Sequence, residues 1–140
     1  MKICKNPFEP GPQASVVTQY ISHPLMAEKR LEARAYQLIA AKVALTSSTL
    51  IVLPTATGKT AIEFFVIAEK LRNSEKKVVM IAPTVPLVTQ HLTDAKKFLS
   101  FPEENITALT GKISPSKREM YYTNSRLIIA TPQVIRNDLQ

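Results

Sequence analysis

The chain has 140 residues, 45% of them hydrophobic, enough for one domain with a real core, and no apolar run approaches the roughly 20 residues needed to span a bilayer. The N-terminus, with Lys2, Lys5, Pro7, Pro10 and Pro12, lacks the apolar core of a signal peptide, so a cytoplasmic location without a membrane partner is expected. The single cysteine, Cys4, excludes a disulfide framework and a thiol-based metal cluster, while the net charge of +7 favours polyanionic partners such as nucleic acid.

Met1 to Ser15, with Pro7, Pro10, Gly11 and Pro12, reads as an irregular lead-in, and Val16 to Ile21 alternates imperfectly, as a short strand would. Residues 1–22 are therefore set apart from a domain over 23–140. After His23-Pro24 a helix is expected: Leu31, Ala35, Leu38, Ile39, Val43 and Leu45 recur at helical spacing, and Thr46-Ser47-Ser48 ends it. Thr49 to Val52 reads as a short buried strand.

Leu53-Pro54-Thr55-Ala56-Thr57-Gly58-Lys59-Thr60 follows that strand and opens a helix, apolar nearly all round over 61–68, that runs to about Arg72. Strand, loop and helix in this order are what a phosphate-binding loop requires. Backbone N–H groups of such a loop point at one spot, where the helix dipole favours negative charge. Thr55, Ala56, Thr57 and Gly58 are the candidate cradle, Lys59 adds a mobile positive charge for the β and γ phosphates, and the Thr60 hydroxyl suits Mg²⁺. The loop departs from the strict formula, which has glycine at the position of Leu53.

Beyond the polar turn Asn73 to Lys77, Val78 to Ala82 is a continuous apolar strand, and Pro83-Thr84-Val85-Pro86 opens a helix with an apolar face of Leu87, Val88, His91, Leu92, Ala95, Phe98 and Leu99. His91 there reads as a packed or capping histidine. Ile106 to Leu109 is the next strand, running into Thr110-Gly111. Ser114-Pro115 starts a helix to about Tyr122, with serine as cap. Arg126 to Ala130 is a further buried strand, and Thr131-Pro132 repeats the device ahead of a helix from Gln133. Continuous apolar runs separated by helices imply an α/β sheet, mainly parallel and covered on both faces, with each strand delivering a helix to one edge, where such folds bind ligands.

Arg34-Ala35-Tyr36-Gln37, the loop at Pro54 to Thr60, Ala82 to His91, Leu109-Thr110-Gly111 and Ala130 to Ile135 stand in an order and spacing that resembles the first motor domain of superfamily 2 helicases. The similarity is greatest to the archaeal Hef helicase/nuclease and its FANCM relatives, a branch adjoining the RIG-I and Dicer helicases, and it covers roughly residues 23–140. It implies a RecA-like P-loop NTPase domain, incomplete at its C-terminal side, that binds ATP and Mg²⁺. By the resemblance Gln37 reads adenine with Arg34 nearby. Pro83, Thr84 and Gln90, then Thr110 and Gly111, then Thr131, Pro132 and Gln133 hold the backbone of DNA or RNA without reading bases. Thr84 and Thr131 also cap helices, and Lys112, Lys117, Arg118 and Arg126 extend the positive path or are solvated surface charges.

Relatives usually carry glycine where this chain has Ala56, a substitution tolerated at negative φ and costly at positive φ. The family's Asp-Glu pair, which helps hold Mg²⁺ and activate water, and its second RecA-like domain would lie beyond Gln140, so the chain is expected to be an N-terminal fragment of an ATP-dependent helicase. Strands following that pair would flank Thr49 to Leu53, so instability, a compensating rearrangement or self-association is expected. The rivals are a non-catalytic nucleotide- or nucleic-acid-binding module and a small-molecule kinase. The kinase leaves the Ala-Pro-Thr and Thr-Pro-Gln segments unexplained.

Overall fold

The computed structural model describes residues 2–4 and 19–140. Most of the expected lead-in, Met1 and 5–15, lies outside the described residues, as do 16–18 of the expected first strand. The chain divides into two compact units, the first ending at Glu69 and the second running from Lys70 to Gln140. No helix among the described residues is long and apolar enough to cross a membrane.

The first unit carries, in chain order, β1 (Lys2–Cys4), β2 (Gln19–Tyr20), β3 (Glu32–Ala33), α1 (Ala35–Thr46), β4 (Thr49–Ile51) and the greater part of α2 (Lys59–Asn73). β1 pairs in parallel with β4, Lys2 opposite Thr49 and Cys4 opposite Ile51. One expectation is corrected by this pairing: the lead-in contributes a strand, which lies beside the strand before the loop. An open strand edge presents unpaired N–H and C=O groups, and an extended segment that completes the ladder satisfies them. On β4 and just beyond it, Leu50 and Val52 remain 47% and 57% exposed.

The first helix begins at Ala35, well after His23-Pro24. Before it, β2 and β3 form an antiparallel ribbon, extended by a bond from the Ile21 amide to the Leu31 carbonyl at 2.9 Å. Lys29, at φ 53°, turns the chain between the strands, so Leu31 stands on the ribbon and not on a helical face. Gln37, Ala40 and Ala41 are the buried residues of α1, whereas Ile39, expected in its apolar face, is exposed. Ala40, Ala41 and Ile62 form a small core, with Ile51, Leu53, Phe65 and Val66 packed against it. The His23 ring meets Phe65 edge-on at 6.0 Å, and its Nε2 lies 3.4 Å from Glu69, so the chain leaving β2 is held against α2.

The second unit holds β5 (Val78–Ile81), α3 (Val85–Phe98), β6 (Ile106–Leu109), α4 (Pro115–Asn124), β7 (Leu127–Ala130) and α5 (Pro132–Asp138). Its strands form a parallel sheet in the order β5-β7-β6. Central β7 is buried at all four positions, as a continuous apolar strand covered on both faces should be. β5 departs from that expectation: it is an edge strand whose Val79 and Ile81 are 47% and 54% exposed. Leu109, Ile128, Ala130 and Val134 form one cluster of the core, flanked by Ile113, Tyr121, Tyr122 and Ile135.

Helix starts in this unit follow the expected residues but not always the expected bonds. Thr84 occupies the cap of α3, and its hydroxyl accepts from the Leu87 amide at 3.5 Å. Ser114 and Thr131 hold the cap positions of α4 and α5 without a side-chain bond. In each case the proline that follows already presets the first helical φ.

Candidate functional site

In the first unit, α1 and the loop before α2 build one arrangement. The Tyr36 hydroxyl donates to the Thr57 carbonyl at 2.7 Å, and Gln37 Nε2 donates to the carbonyls of Thr57 and Gly58 at 2.8 and 2.9 Å. Gln37 Oε1 accepts from the Arg34 amide at 2.7 Å, the return half of a capping box at the start of α1. The Thr57 hydroxyl donates to the Pro54 carbonyl at 2.6 Å, closing the loop on itself. A primary amide has two hydrogens and two oxygen lone pairs. Both hydrogens of buried Gln37 are thus committed to the loop backbone, and a single Oε1 lone pair remains.

Two residues of the loop have left-handed backbone. Gly58, at φ 77°, has a second reason to be glycine: a Cβ there would stand 2.2 Å from Gln37 Nε2. Ala56 takes φ 63°, the costly alternative, worth about 1 kcal/mol of strain. Glycine would take this φ without that cost, and this chain carries the strain.

Lys59 is exposed at the first position of α2, and Thr60 is half-buried in its first turn, which has no acidic side chain to compete for the amides. The donor set suits a phosphate chain: backbone amides of the loop and helix start, one mobile cation and one hydroxyl. Arg34 is exposed at the α1 cap. Among the described residues no cluster of three His, Cys, Asp or Glu side chains stands ready for a metal, so Mg²⁺ here would rest on Thr60 and on phosphate oxygens.

In the second unit, Ile81 and Leu109 both lie opposite Ala130, so β5, β6 and β7 end in line. The three strand-end segments leave from that edge. Pro83, Thr84, Gln90, Gly111, Pro132 and Gln133 are exposed, whereas Thr110 and Thr131 are only 9% and 6% exposed. The outward surface of the second and third segments therefore belongs to Gly111, Pro132 and Gln133. Gly111 has no left-handed φ, and a Cβ built on it meets nothing within 4 Å. Neither its own backbone nor its neighbours explain the glycine.

Of the four charges proposed to extend the positive path, Lys112 and Lys117 are exposed, whereas Arg118 is buried and Arg126 half-buried, and both guanidiniums are engaged by neighbouring groups. Arg118 is buried and forks onto Asp138: its Nε donates to Oδ2 at 2.7 Å and its Nη2 to Oδ1, while Nη1 reaches the Ile113 carbonyl. The Tyr122 hydroxyl donates to the same Oδ2 at 2.8 Å. The Arg118 fork holds the Asp138 carboxyl below its usual range, whereas burial, aided by Asp138, pushes the Tyr122 phenol up to about 12. Arg126 donates from Nη2 to the Leu71 carbonyl at 3.0 Å and to that of Ser74, and lies 5.8 Å from the Phe101 ring centroid.

Several working residues escaped the sequence reading. Lys77 donates to the carbonyls of Thr123 and Ser125 at 3.0 and 2.8 Å, closing the C-terminal end of α4 as Arg126 closes that of α2. Both stand just ahead of a strand, a position from which a long cation reaches a neighbouring helix end. Tyr36 was legible only as the companion of Gln37.

A parallel α/β unit with aligned strand ends, together with a loop of this geometry ahead of a helix, defines a RecA-like P-loop nucleotide-binding domain. The chain belongs to the DEAD/DEAH box helicase family, whose match covers residues 34–140. It is 51% identical over 120 residues to "Putative ATP-dependent RNA helicase MJ1505" of Methanocaldococcus jannaschii, covering 86% of this chain and 15% of that protein. It is 38% identical over 118 residues to the DEAD-box ATP-dependent DNA helicase Fancm of Drosophila melanogaster, covering 84% of this chain and 8% of that one. The crystal structure of the Pyrococcus furiosus Hef helicase domain superposes with a TM-score of 0.73 at 41% identity, covering 76% of this chain and 23% of that chain. The resemblance to Hef and FANCM is thereby borne out, and the chain spans under a quarter of the length of each of these proteins.

Proposed function

We propose that this chain is the N-terminal ATP-binding part of an ATP-dependent nucleic-acid helicase or translocase, in which ATP draws two RecA-like domains together on a strand and hydrolysis releases them. The observation that carries the reading is the loop cradle: Gln37 and Tyr36 hold the Thr57 and Gly58 carbonyls, and the space in front of Gly58 admits no side chain. Those carbonyls are engaged by α1 and, at Gly58, by the Ala61 amide, and the first turn of α2 offers Lys59 and no acidic side chain to compete with phosphate oxygens. Lys59 neutralises charge on the β and γ phosphates, Thr60 supplies a hydroxyl to Mg²⁺, Gln37 and Arg34 face the base, and Thr55, Ala56 and Thr57 complete the cradle. Bound Mg²⁺ would polarise the phosphoryl oxygens.

The strand-end segments are the proposed grip on DNA or RNA. Gly111, whose glycine has no local cause, is where a sugar-phosphate backbone would approach most closely. We further propose that these 140 residues by themselves bind without hydrolysing, because none of their 11 acidic residues forms the Asp-Glu pair that activates water in the family.

The test is Lys59→Ala in the longer protein, assayed for ATP hydrolysis with and without added single strands. Loss of turnover in the variant and stimulation of the wild type by nucleic acid are expected. Retained turnover in the variant would sink the assignment.

A further inference from the structure

We infer that Arg118 is a positioning residue that joins two of the three backbone-gripping segments into one rigid unit. The inference rests on the nucleic-acid reading above. It starts from an arrangement that packing alone does not require: a guanidinium buried on α4, with three of its nitrogens directed at two different pieces of chain.

One piece is the loop after Thr110-Gly111. Its Ile113 amide donates to the Thr110 carbonyl at 3.0 Å, and its Ile113 carbonyl accepts from Arg118, so the turn carrying Gly111 is held at both ends. The other piece is Asp138, the last residue of α5, whose first turn holds Pro132 and Gln133. At seven residues α5 is a rod only about 10 Å long, so fixing its far end fixes the direction of its near end. Tyr122 adds a third hydrogen bond to the Asp138 carboxylate and holds it in place.

A desolvated ion pair is a poor source of net stability compared with apolar packing, but it enforces one geometry. Here the geometry it enforces is the spacing between the segment at 110–113 and the segment at 131–133. Two phosphates of one strand are then met by a preformed pair of sites, and no ordering of one segment against the other is needed on binding.

The experiment uses Arg118→Lys, which keeps the charge but cannot span both partners, Asp138→Asn, which removes the acceptor charge, and Tyr122→Phe, which leaves the fork intact. Binding of a fluorescein-labelled oligo(dT) of about 20 nucleotides is read by anisotropy at a temperature where circular dichroism shows each variant folded. Binding of a fluorescent ATP analogue is read in parallel. The expected result is oligo(dT) affinity lowered about tenfold in Arg118→Lys and Asp138→Asn and about threefold in Tyr122→Phe. Analogue affinity should stay within about twofold, and amides of 110–113 and 131–134 should exchange hydrogen faster together. Should Arg118→Lys fail to fold, the other two variants decide.

Folded variants that bind oligo(dT) as the wild type does overturn the positioning role and leave the nucleic-acid reading standing. A wild-type chain that binds no oligo(dT) overturns that reading and this inference with it.

Discussion

Gln37 Nε2 occupies the place that a Cβ on Gly58 would need, 2.2 Å from where it would stand. The same nitrogen donates to the Gly58 carbonyl at 2.9 Å, so the helix residue and the loop residue exclude a side chain and hold the backbone in one contact. Gly58→Ala is expected to lower affinity for a fluorescent ATP analogue by about tenfold or more, since the new methyl must displace the amide and adopt φ 77°. Gln37→Ala should weaken binding less, and the double variant should lose less than the sum of the two. Strict additivity would show that the contact does not set the loop.

Ala56 offers the opposite experiment. At φ 63° its methyl carries about 1 kcal/mol of strain that glycine would not. Part of that relief is offset by the larger freedom of glycine in the unfolded chain. Urea denaturation of Ala56→Gly should therefore show stability unchanged or raised by up to about 1 kcal/mol. A loss of stability would show that the left-handed conformation is not the one adopted in solution.

The Arg118, Asp138 and Tyr122 cluster makes stability depend on pH at both extremes. The Asp138 carboxyl is held below its unfolded value, so its contribution is fully present above the unfolded value, near pH 4, and is lost as pH falls through the folded one. The Tyr122 phenol, pushed up to about 12, contributes fully below its unfolded value near pH 10, and that contribution is lost as pH rises through about 12. Asp138→Asn should flatten the acid limb of a denaturation midpoint plotted against pH, and Tyr122→Phe the alkaline limb. Limbs that keep their slopes in these variants would assign the titrations elsewhere.

Arg126→Ala is expected to cost about 1.5–3 kcal/mol, because it removes charge-assisted bonds to the Leu71 and Ser74 carbonyls at the end of α2. The salt dependence of nucleic-acid binding should not change, since this side chain is turned toward helix carbonyls. A shallower salt slope in the variant would return Arg126 to the phosphate path.

The loop, the strands and the three strand-end segments were legible because their signals are local: apolar runs of strand length, proline behind a cap position, Gly58 ahead of Lys59 and Thr60. What the sequence could not show depends on contacts distant in the chain. The ribbon of β2 and β3 displaced the start of the first helix, although the spacing of Leu31 and Ala35 suits a helix, because Lys29 turns and Leu31 bonds across to Ile21. Arg118 and Arg126 resembled surface charges until Asp138 and the end of α2 were brought to them. Thr110 and Thr131 sit in the expected segments, yet burial assigns the outward surface to their neighbours. Nothing in the sequence context of Gln37 announces that it fastens the loop.

That fastening bears on which nucleotide the site would prefer. If Gln37 meets the base as proposed, then with both amide hydrogens given to the Thr57 and Gly58 carbonyls it offers only an acceptor. An acceptor welcomes the exocyclic amino group of adenine or cytosine and repels the carbonyl that guanine or uracil presents at the corresponding position. The selectivity for ATP over GTP would then come from the hydrogen bonds that close the loop, before any nucleotide arrives.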